Sequence, residues 1–210
     1  MAATLKILGD YPSPFVHKSL LVLREKGVEY EWVRDSPLKP GNSISRLNPL
    51  GKIPILLPVG GEPIYDSSVI VEFVDNLKPQ PMLIPRSGHD RVGVRQWEAL
   101  ADGLCDTGYA YMAETRRPST ERSESWMKTW FSRIENALAT LSAKLGEKRW
   151  CHGEDLTLAD LCVGAALTYV DIRFKRIDWR LAHPNLDALA SRLFQRPSFS
   201  GMNWRAEPEA

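Results

Sequence analysis

Nothing in this sequence approaches the roughly 18 consecutive apolar residues that a membrane-spanning helix needs. The opening residues, MAATLKILGDYPSP, hold no basic segment followed by an apolar stretch, so they do not read as a secretory signal. Cysteine is scarce. Cys105, Cys151 and Cys162 are the full set, and none of them forms a CxxC spacing. An odd count without a framework argues against a disulfide-stapled secreted fold and suits a reducing cytoplasm. His17, His89, His152 and His183 are scattered, and Cys151-His152 has no second pair to complete a zinc site. No metal is expected. An excess of one charge is also missing. Lys and Arg number 27 against 26 Asp and Glu, a net charge of +1. Such balance gives no basis for a nucleic-acid or membrane-surface partner. There is no internal repeat and no long low-complexity segment.

What remains is an ordinary globular composition: 210 residues, 43% hydrophobic and 25% charged. That length buries a sizeable core in one large or two modest domains. The first 78 residues alternate between two patterns. Thr4 to Leu8 is a β-rich run. Val16, Leu20 and Leu23 recur at helical spacing, and Gly27 after the basic Lys26 marks a stop. Tyr30 to Val33 reads as a second strand. Ile55 to Val59 and Pro63 to Tyr65 read as two more, turned at Gly60-Gly61. Val69, Ile70, Phe73, Val74 and Leu77 form a second helical stripe. The order β-α-β, loop, β-β-α predicts a small mixed sheet of four strands with helices on it.

Pro79, Pro81 and Pro85 break the pattern between Lys78 and Asp90, so residues 79–90 read as a linker. Beyond it, from 91 to 210, every stretch is helical. Trp97, Leu100, Ala101 and Leu104 mark one helix face, and Trp126, Trp130, Ile134 and Leu138 another. Ala159 to Val170 is apolar on most sides and belongs in the centre of an all-helical domain. Leu186, Leu189 and Leu193 mark a last helix, which Pro197 ends.

Four motifs can carry more than packing. In YPSPFVHK, Ser13 precedes Pro14 at the head of an apolar helix. As an N-cap it contributes about 1 kcal/mol. As a functional group it sits where a helix N-terminus and a hydroxyl together hold an anion. A thiolate there gains a hydrogen bond and the positive end of the dipole, and both lower a thiol pKa from about 8.5. In NPLGKIPIL, Pro54 stands before a strand, and Ile53-Pro54 is a candidate cis bond exposing the Ile53 backbone to a peptide. In PIYDSSVIVEFVD, Asp66 and Ser67 lead into a helix. They form an N-cap with free N–H groups, or a site taking a carboxylate on those N–H groups and an ammonium on Asp66. Thr157 to Asp160 is a capping box, read as structural.

These features, in this order over nearly the whole chain, resemble the cytosolic glutathione transferase superfamily. The SPF at Ser13 is most similar to the serine-type, tau- and zeta-like classes, and the whole resembles a bacterial branch. RPSF, Arg196 to Phe199, is similar to the family as well. The resemblance implies a thioredoxin-like N-terminal domain and an all-helical second domain. It implies glutathione as co-substrate and no metal. Ser13 then matches the hydroxyl that hydrogen-bonds the glutathione sulfur, with Tyr11 as a competing donor. Ile53, before cis-Pro54, pairs with the cysteinyl part. Asp66 and Ser67 hold the γ-glutamyl group. Lys39 and Lys52 fall near positions that meet the glycyl carboxylate. Asp66 stands where many members carry the longer glutamate, so the head group sits closer or a water bridges. Serine in place of cysteine at position 13 argues against the thiol-reductase classes.

The resemblance implies an enzyme that activates the glutathione thiol for addition to a small, apolar electrophile, with isomerase or peroxidase side activity. Tyr109, Tyr111, Met112 and Arg116 are candidate second-substrate residues, with helix packing as their other reading. A cytoplasmic homodimer in detoxification is implied, with Asp102 a candidate contact to the partner's glutathione. The alternative is a non-catalytic glutathione-binding or dimerisation module of a stress-related protein. Such modules often lose the hydroxyl or the acid–serine pair, and both are present here.

Overall fold

The computed structural model describes residues 5–200. Thr4 and residues 201–210, which the sequence reading included in a strand and in the helical domain, lie outside the described residues. The described chain divides into two compact units. One comprises residues 5–84 with Pro197–Phe199, the other Pro85–Arg196 with Ser200.

The first unit is built on three strands, β1 (Lys6–Gly9), β2 (Glu31–Arg34) and β3 (Ile55–Leu57), in the order β2-β1-β3. β1 is parallel to β2, with Gly9 opposite Arg34, and antiparallel to β3, with Leu8 opposite Ile55. The sheet is therefore mixed, but it has three strands and not the four expected. The segment at Pro63–Tyr65 forms only an isolated bridge, Ile64 to Leu56. The reason is local. Pro63 has no N–H to donate, and Asp66 already caps the next helix, so only Ile64 pairs, exchanging hydrogen bonds of 2.8 and 2.9 Å with Leu56.

Helix α1 (Pro14–Glu25) starts on Ser13 and Pro14 and stops at Gly27, whose φ of 55° a side chain disfavours. Its residues from Val16 to Leu23 are all buried. At its start it lies against the strand backbone. A Cβ on Gly9 would come within 2.4 Å of a Val16 methyl, so only glycine ends β1 there. A short α2 (Ile44–Leu47) falls in the expected loop, and α3 (Ser67–Leu77) packs beside α1. Ile7, Leu20, Leu23, Ile55, Ile70 and Val74 form part of the core, each 0% exposed. Beneath them a buried Lys26–Asp75 pair, 2.7 Å apart, anchors the proline-rich stretch. Lys26 donates to the Pro81 carbonyl, while Asp75 accepts from the Leu83 and Ile84 amides, both at 3.1 Å. Ser198 of the RPSF motif accepts from Arg24 through its carbonyl at 3.0 Å and donates to Glu25.

The second unit is helical: α4 (Gly88–Thr115), α5 (Glu124–Leu145), α6 (Leu158–Arg173), the one-turn α7 (Trp179–Ala182) and α8 (Pro184–Phe194), with a 3-10 turn at Ser119–Glu121. α4 begins inside the proline-rich stretch, because Pro85 is its last proline and Ser87 takes the cap position. α6 is buried continuously from Leu158 to Val170 and packs on α4 and α8. It is the central helix that its unbroken apolar composition predicts. No helix among the described residues is long and apolar enough to cross a membrane.

Candidate active site

Strand register brings the N-terminal motifs together. The chain at Ile64 runs antiparallel to β3 and so in the direction of β1. Extending the registers by a residue or two sets Pro54 level with Gly9, and Asp66 level with Pro54. Helices α1 and α3 therefore set off from one end of the sheet, with the cis Ile53–Pro54 bond between their starts. The loop after β2 leaves from this end too, because Arg34 is opposite Gly9. Carboxyl ends of strands in open α/β sheets are the usual place for a ligand.

Ser13 is half-buried. Its Oγ accepts from the Val16 amide at 3.3 Å, so the cap uses a lone pair. The hydroxyl proton has no acceptor among the described residues and is available to a thiolate. Tyr11 beside it is differently engaged. The Arg34 guanidinium stands 4.1 Å above its ring centre, and Trp32 lies against it at 4.9 Å. Asp10 holds Arg34 through a 2.7 Å ion pair and caps the Tyr11 amide at 2.9 Å.

Asp66 caps α3, accepting from the Ser68 amide at 2.8 Å and from the Ser68 hydroxyl. Burial acts to raise its pKa, but the two Ser68 bonds and the charges of Lys18 and Lys52 outweigh it and hold the carboxyl below its usual range. Asp66 is thus a fixed anion. Ser67 next to it is buried, and its hydroxyl has no partner among the described residues. Lys52 is exposed in a turn organised by buried Asn48, whose side chain bonds the Lys52 carbonyl and the Leu50 amide. Lys39 lies elsewhere, in a shallow depression of about 250 Å³ lined by Asp10, Arg34, Asp35, Ser36 and itself. Asp35 folds that loop. Hydrogen bonds from the Ser43 amide above all, then from its hydroxyl and the Ser36 amide, with the charge of Lys39, outweigh burial and hold the Asp35 pKa down.

Two groups here escaped the sequence reading, His17 and Lys18. Both are buried in α1. The signal was available: PFVHKSLLVL is too apolar all round for a surface helix, so polar residues within it are buried and need partners. Burial first, then the charges of Arg24 and Arg34, hold the His17 pKa well below its usual value. His17 is therefore neutral in the folded chain at neutral pH. Because the folded pKa lies below the unfolded one of about 6.5, the stability gained from a neutral His17 is complete above pH 6.5 and is lost as the pH falls. The melting temperature is expected to drop between about pH 6.5 and 5, and His17→Gln to flatten that slope in thermal melts.

In the second unit, α4 carries Tyr109, Met112 and Arg116 on one face, the first and last exposed. Tyr111 turns another way. Its ring meets Phe174 at 5.5 Å and Phe131 at 6.2 Å, and its hydroxyl accepts from Arg176 at 2.7 Å. Its contacts are those of a packing residue. Asp102 is half-buried on the same helix. Among the described residues no group of three or more His, Cys, Asp or Glu is placed to hold a metal ion.

Known proteins match this chain over most of its length. The family described as the glutathione S-transferase N-terminal domain matches residues 12–77, and its C-terminal counterpart matches residues 117–192. The uncharacterized GST-like protein YibF of Escherichia coli is 33% identical over 97% of this chain and 98% of its own. The chain belongs to the glutathione S-transferase family. Glutathione S-transferase U11 of Arabidopsis thaliana is 28% identical over 86% of this chain and 76% of its own. Among solved structures, a glutathione S-transferase of Methylobacterium radiotolerans in complex with glutathione sulfonate has 34% identity and a TM-score of 0.93, covering 99% of this chain and 98% of its own. One from Methylobacillus flagellatus with glutathione (GSH) bound has 35% identity and a TM-score of 0.92, covering 95% and 98%. The two-part family architecture explains why a small mixed sheet is followed by helices alone.

Proposed function

We propose that this chain is a glutathione transferase of the serine type. It holds glutathione across the end of the sheet and raises its thiolate fraction at Ser13 for attack on a small electrophile. The observation that carries the reading is the shared edge. A helix cap with a free hydroxyl proton, a cis-proline and a second acidic helix cap converge at one end of the sheet, in a family whose solved relatives hold glutathione. Ser13 donates to the sulfur. The Ile53 backbone pairs with the cysteinyl amide. Asp66 takes the γ-glutamyl ammonium, and the Ser67 amide and hydroxyl take its carboxylate. Lys52 serves the glycyl carboxylate, and Lys39 does so from the Arg34 loop.

The glutathione domain is residues 1–78, joined by 79–90 to a substrate domain of 91–210. Tyr109, Met112 and Arg116 face the second substrate, with Tyr111 supporting them through Phe131 and Arg176. The protein acts in the cytoplasm as a homodimer in detoxification.

Binding to immobilised glutathione, followed by conjugation of 1-chloro-2,4-dinitrobenzene, tests the reading, and retention without turnover makes the chain a binding module instead. Asp66→Asn keeps the cap acceptor and removes the charge. It is expected to weaken glutathione binding by about 10- to 100-fold, the worth of one charge-assisted hydrogen bond, in calorimetric titration. An unchanged affinity shows that Asp66 does not hold the ammonium.

A further inference from the structure

The turn that delivers Ser13 lies near the surface. Tyr11 is half-buried and Pro12 is exposed. Within the turn the Ser13 amide donates to the Asp10 carbonyl at 3.2 Å. The end of β2 closes over it from the side. Arg34 stands opposite Gly9 in the strand register. Its Nε and Nη2 both meet Asp10 Oδ1, at 2.9 and 2.7 Å. The same oxygen accepts from the Tyr11 amide at 2.9 Å. The guanidinium carbon lies 4.1 Å from the Tyr11 ring centre and 5.3 Å from that of Trp32. Trp32 lies against the Tyr11 ring at 4.9 Å, and its indole N–H donates to the Gly9 carbonyl at 3.1 Å. Stability does not account for this arrangement. The Arg34 and Asp10 side chains are 41% and 30% exposed, and an ion pair so open to water contributes little to it. What the contacts fix is direction. A planar fork bonded at its edge and lying over an aromatic ring sets Asp10 and Tyr11 in one orientation, whereas an ammonium is a point charge and sets none. On its other side Ser13 is tied to the Val16 amide at 3.3 Å. Ser13 is therefore held between a clamped turn and a helix cap.

We propose that Arg34 is a positioning residue, which acts through Asp10 and Tyr11 to hold the turn so that the Ser13 hydroxyl meets the glutathione sulfur. This role rests on the transferase reading given above. A donor displaced by an ångström loses most of its effect on the group it serves, so the turn must be fixed before the ligand arrives. Two ways for Arg34 to act on the sulfur are distinct. A cation that only attracts the thiolate works through its charge, which lysine keeps. A clamp works through its planar shape, which lysine lacks.

Arg34→Lys separates the two. In the glutathione complex of the variant the thiol pKa, read by ultraviolet titration, is expected to rise by about one unit. Below that pKa, kcat/KM for conjugation is expected to fall about tenfold, and well above it, where the thiol is ionised in both proteins, by less than about threefold. Glutathione affinity in calorimetric titration should stay within about threefold, because the charge beside Lys39 is kept. In the Ser13→Ala background the same substitution is expected to move the thiol pKa no further, since Arg34 acts through Ser13. Without glutathione, amide hydrogen exchange at Tyr11 and Ser13 is expected to be about tenfold faster in the variant, and exchange at Ser68 equal in both. A thiol pKa equal to that of the wild type, an equal shift in the Ser13→Ala background, or unchanged exchange at Tyr11 and Ser13 overturns the proposal. Absence of glutathione binding by the wild type instead sinks the transferase reading, and amide exchange still decides whether Arg34 holds the turn.

Discussion

Ser13→Ala is expected to lower kcat/KM for glutathione conjugation by about 100- to 1,000-fold, the usual loss when one preorganised donor to a developing or stored anion is removed. Ser13 Oγ accepts from the Val16 amide at 3.3 Å, which leaves its proton to point away from the helix. A sulfur placed there receives that proton as a hydrogen bond and meets the N-terminus of α1, equivalent to roughly half a positive charge. Both contributions act on the thiolate and not on the thiol, so together they lower the bound thiol pKa by about 1–3 units. The ultraviolet absorbance of the thiolate, followed against pH in the glutathione complex, reads that shift directly. Ser13→Ala should return the pKa most of the way to about 8.5 while glutathione affinity changes little. Ser13→Thr retains a hydroxyl and should retain most of the shift. Tyr11→Phe is the control. Its ring is fixed by Arg34 and Trp32, and losing its hydroxyl should leave the thiolate titration in place. If Tyr11→Phe abolishes the shift and Ser13→Ala does not, the donor is Tyr11.

What the sequence made legible was local chemistry. Ser13 before Pro14, Asp66 before Ser67, Thr157 before Asp160 and Gly27 after Lys26 are each governed by the hydrogen-bonding or torsional limits of a few adjacent residues, and each stands where those limits put it. The overreach at Pro63–Tyr65 has the same origin. A β-prone run between a proline and a helix cap keeps too few N–H groups for a ladder, and only Ile64 pairs. Tertiary placement was not legible. Periodicity finds one apolar face, but α1 is enclosed from Val16 to Leu23, so the burial of His17 and Lys18 does not follow from it. Ser13, Pro54 and Asp66 could be brought together only once strand register was known. Their spacing in the chain says nothing of it.

The largest stability effect is expected at Asp160, and the reason extends past the capping box that the sequence announces. The residue is 0% exposed. Its Oδ2 accepts from the Thr157 amide at 2.9 Å and the Thr157 hydroxyl at 3.2 Å, completing the start of α6. Its Oδ1 reaches back to the Cys151 amide at 2.8 Å and so carries the loop between α5 and α6 as well. Burial is the largest influence on its pKa and raises it, against the hydrogen bonds from Cys151 and Thr157, so the charge itself is held at some cost. That charge has a second effect. After burial, it is what drives the Cys151 thiol pKa upward, so Cys151 should stay protonated and inert to thiol reagents in the folded chain. Asp160→Ala leaves the buried Cys151 amide without a partner, at about 1–3 kcal/mol, and removes the capping-box bond from the half-buried Thr157 amide, at about 1 kcal/mol. Relief of the carboxylate's own burial offsets part of this. The net expectation is a loss of about 3 kcal/mol, or about 6–12 °C in Tm for a chain of this size. Asp160→Asn keeps one acceptor oxygen and should lose about half as much. Thermal melts of the three proteins at neutral pH measure the series. Glutathione affinity, measured well below the melting range, should be equal in all of them, because α6 belongs to the helical unit, while Ser13, Lys39, Lys52, Ile53, Asp66 and Ser67 belong to the other. A fall in affinity without a fall in Tm would show that Asp160 serves ligand binding and not the stability of α6.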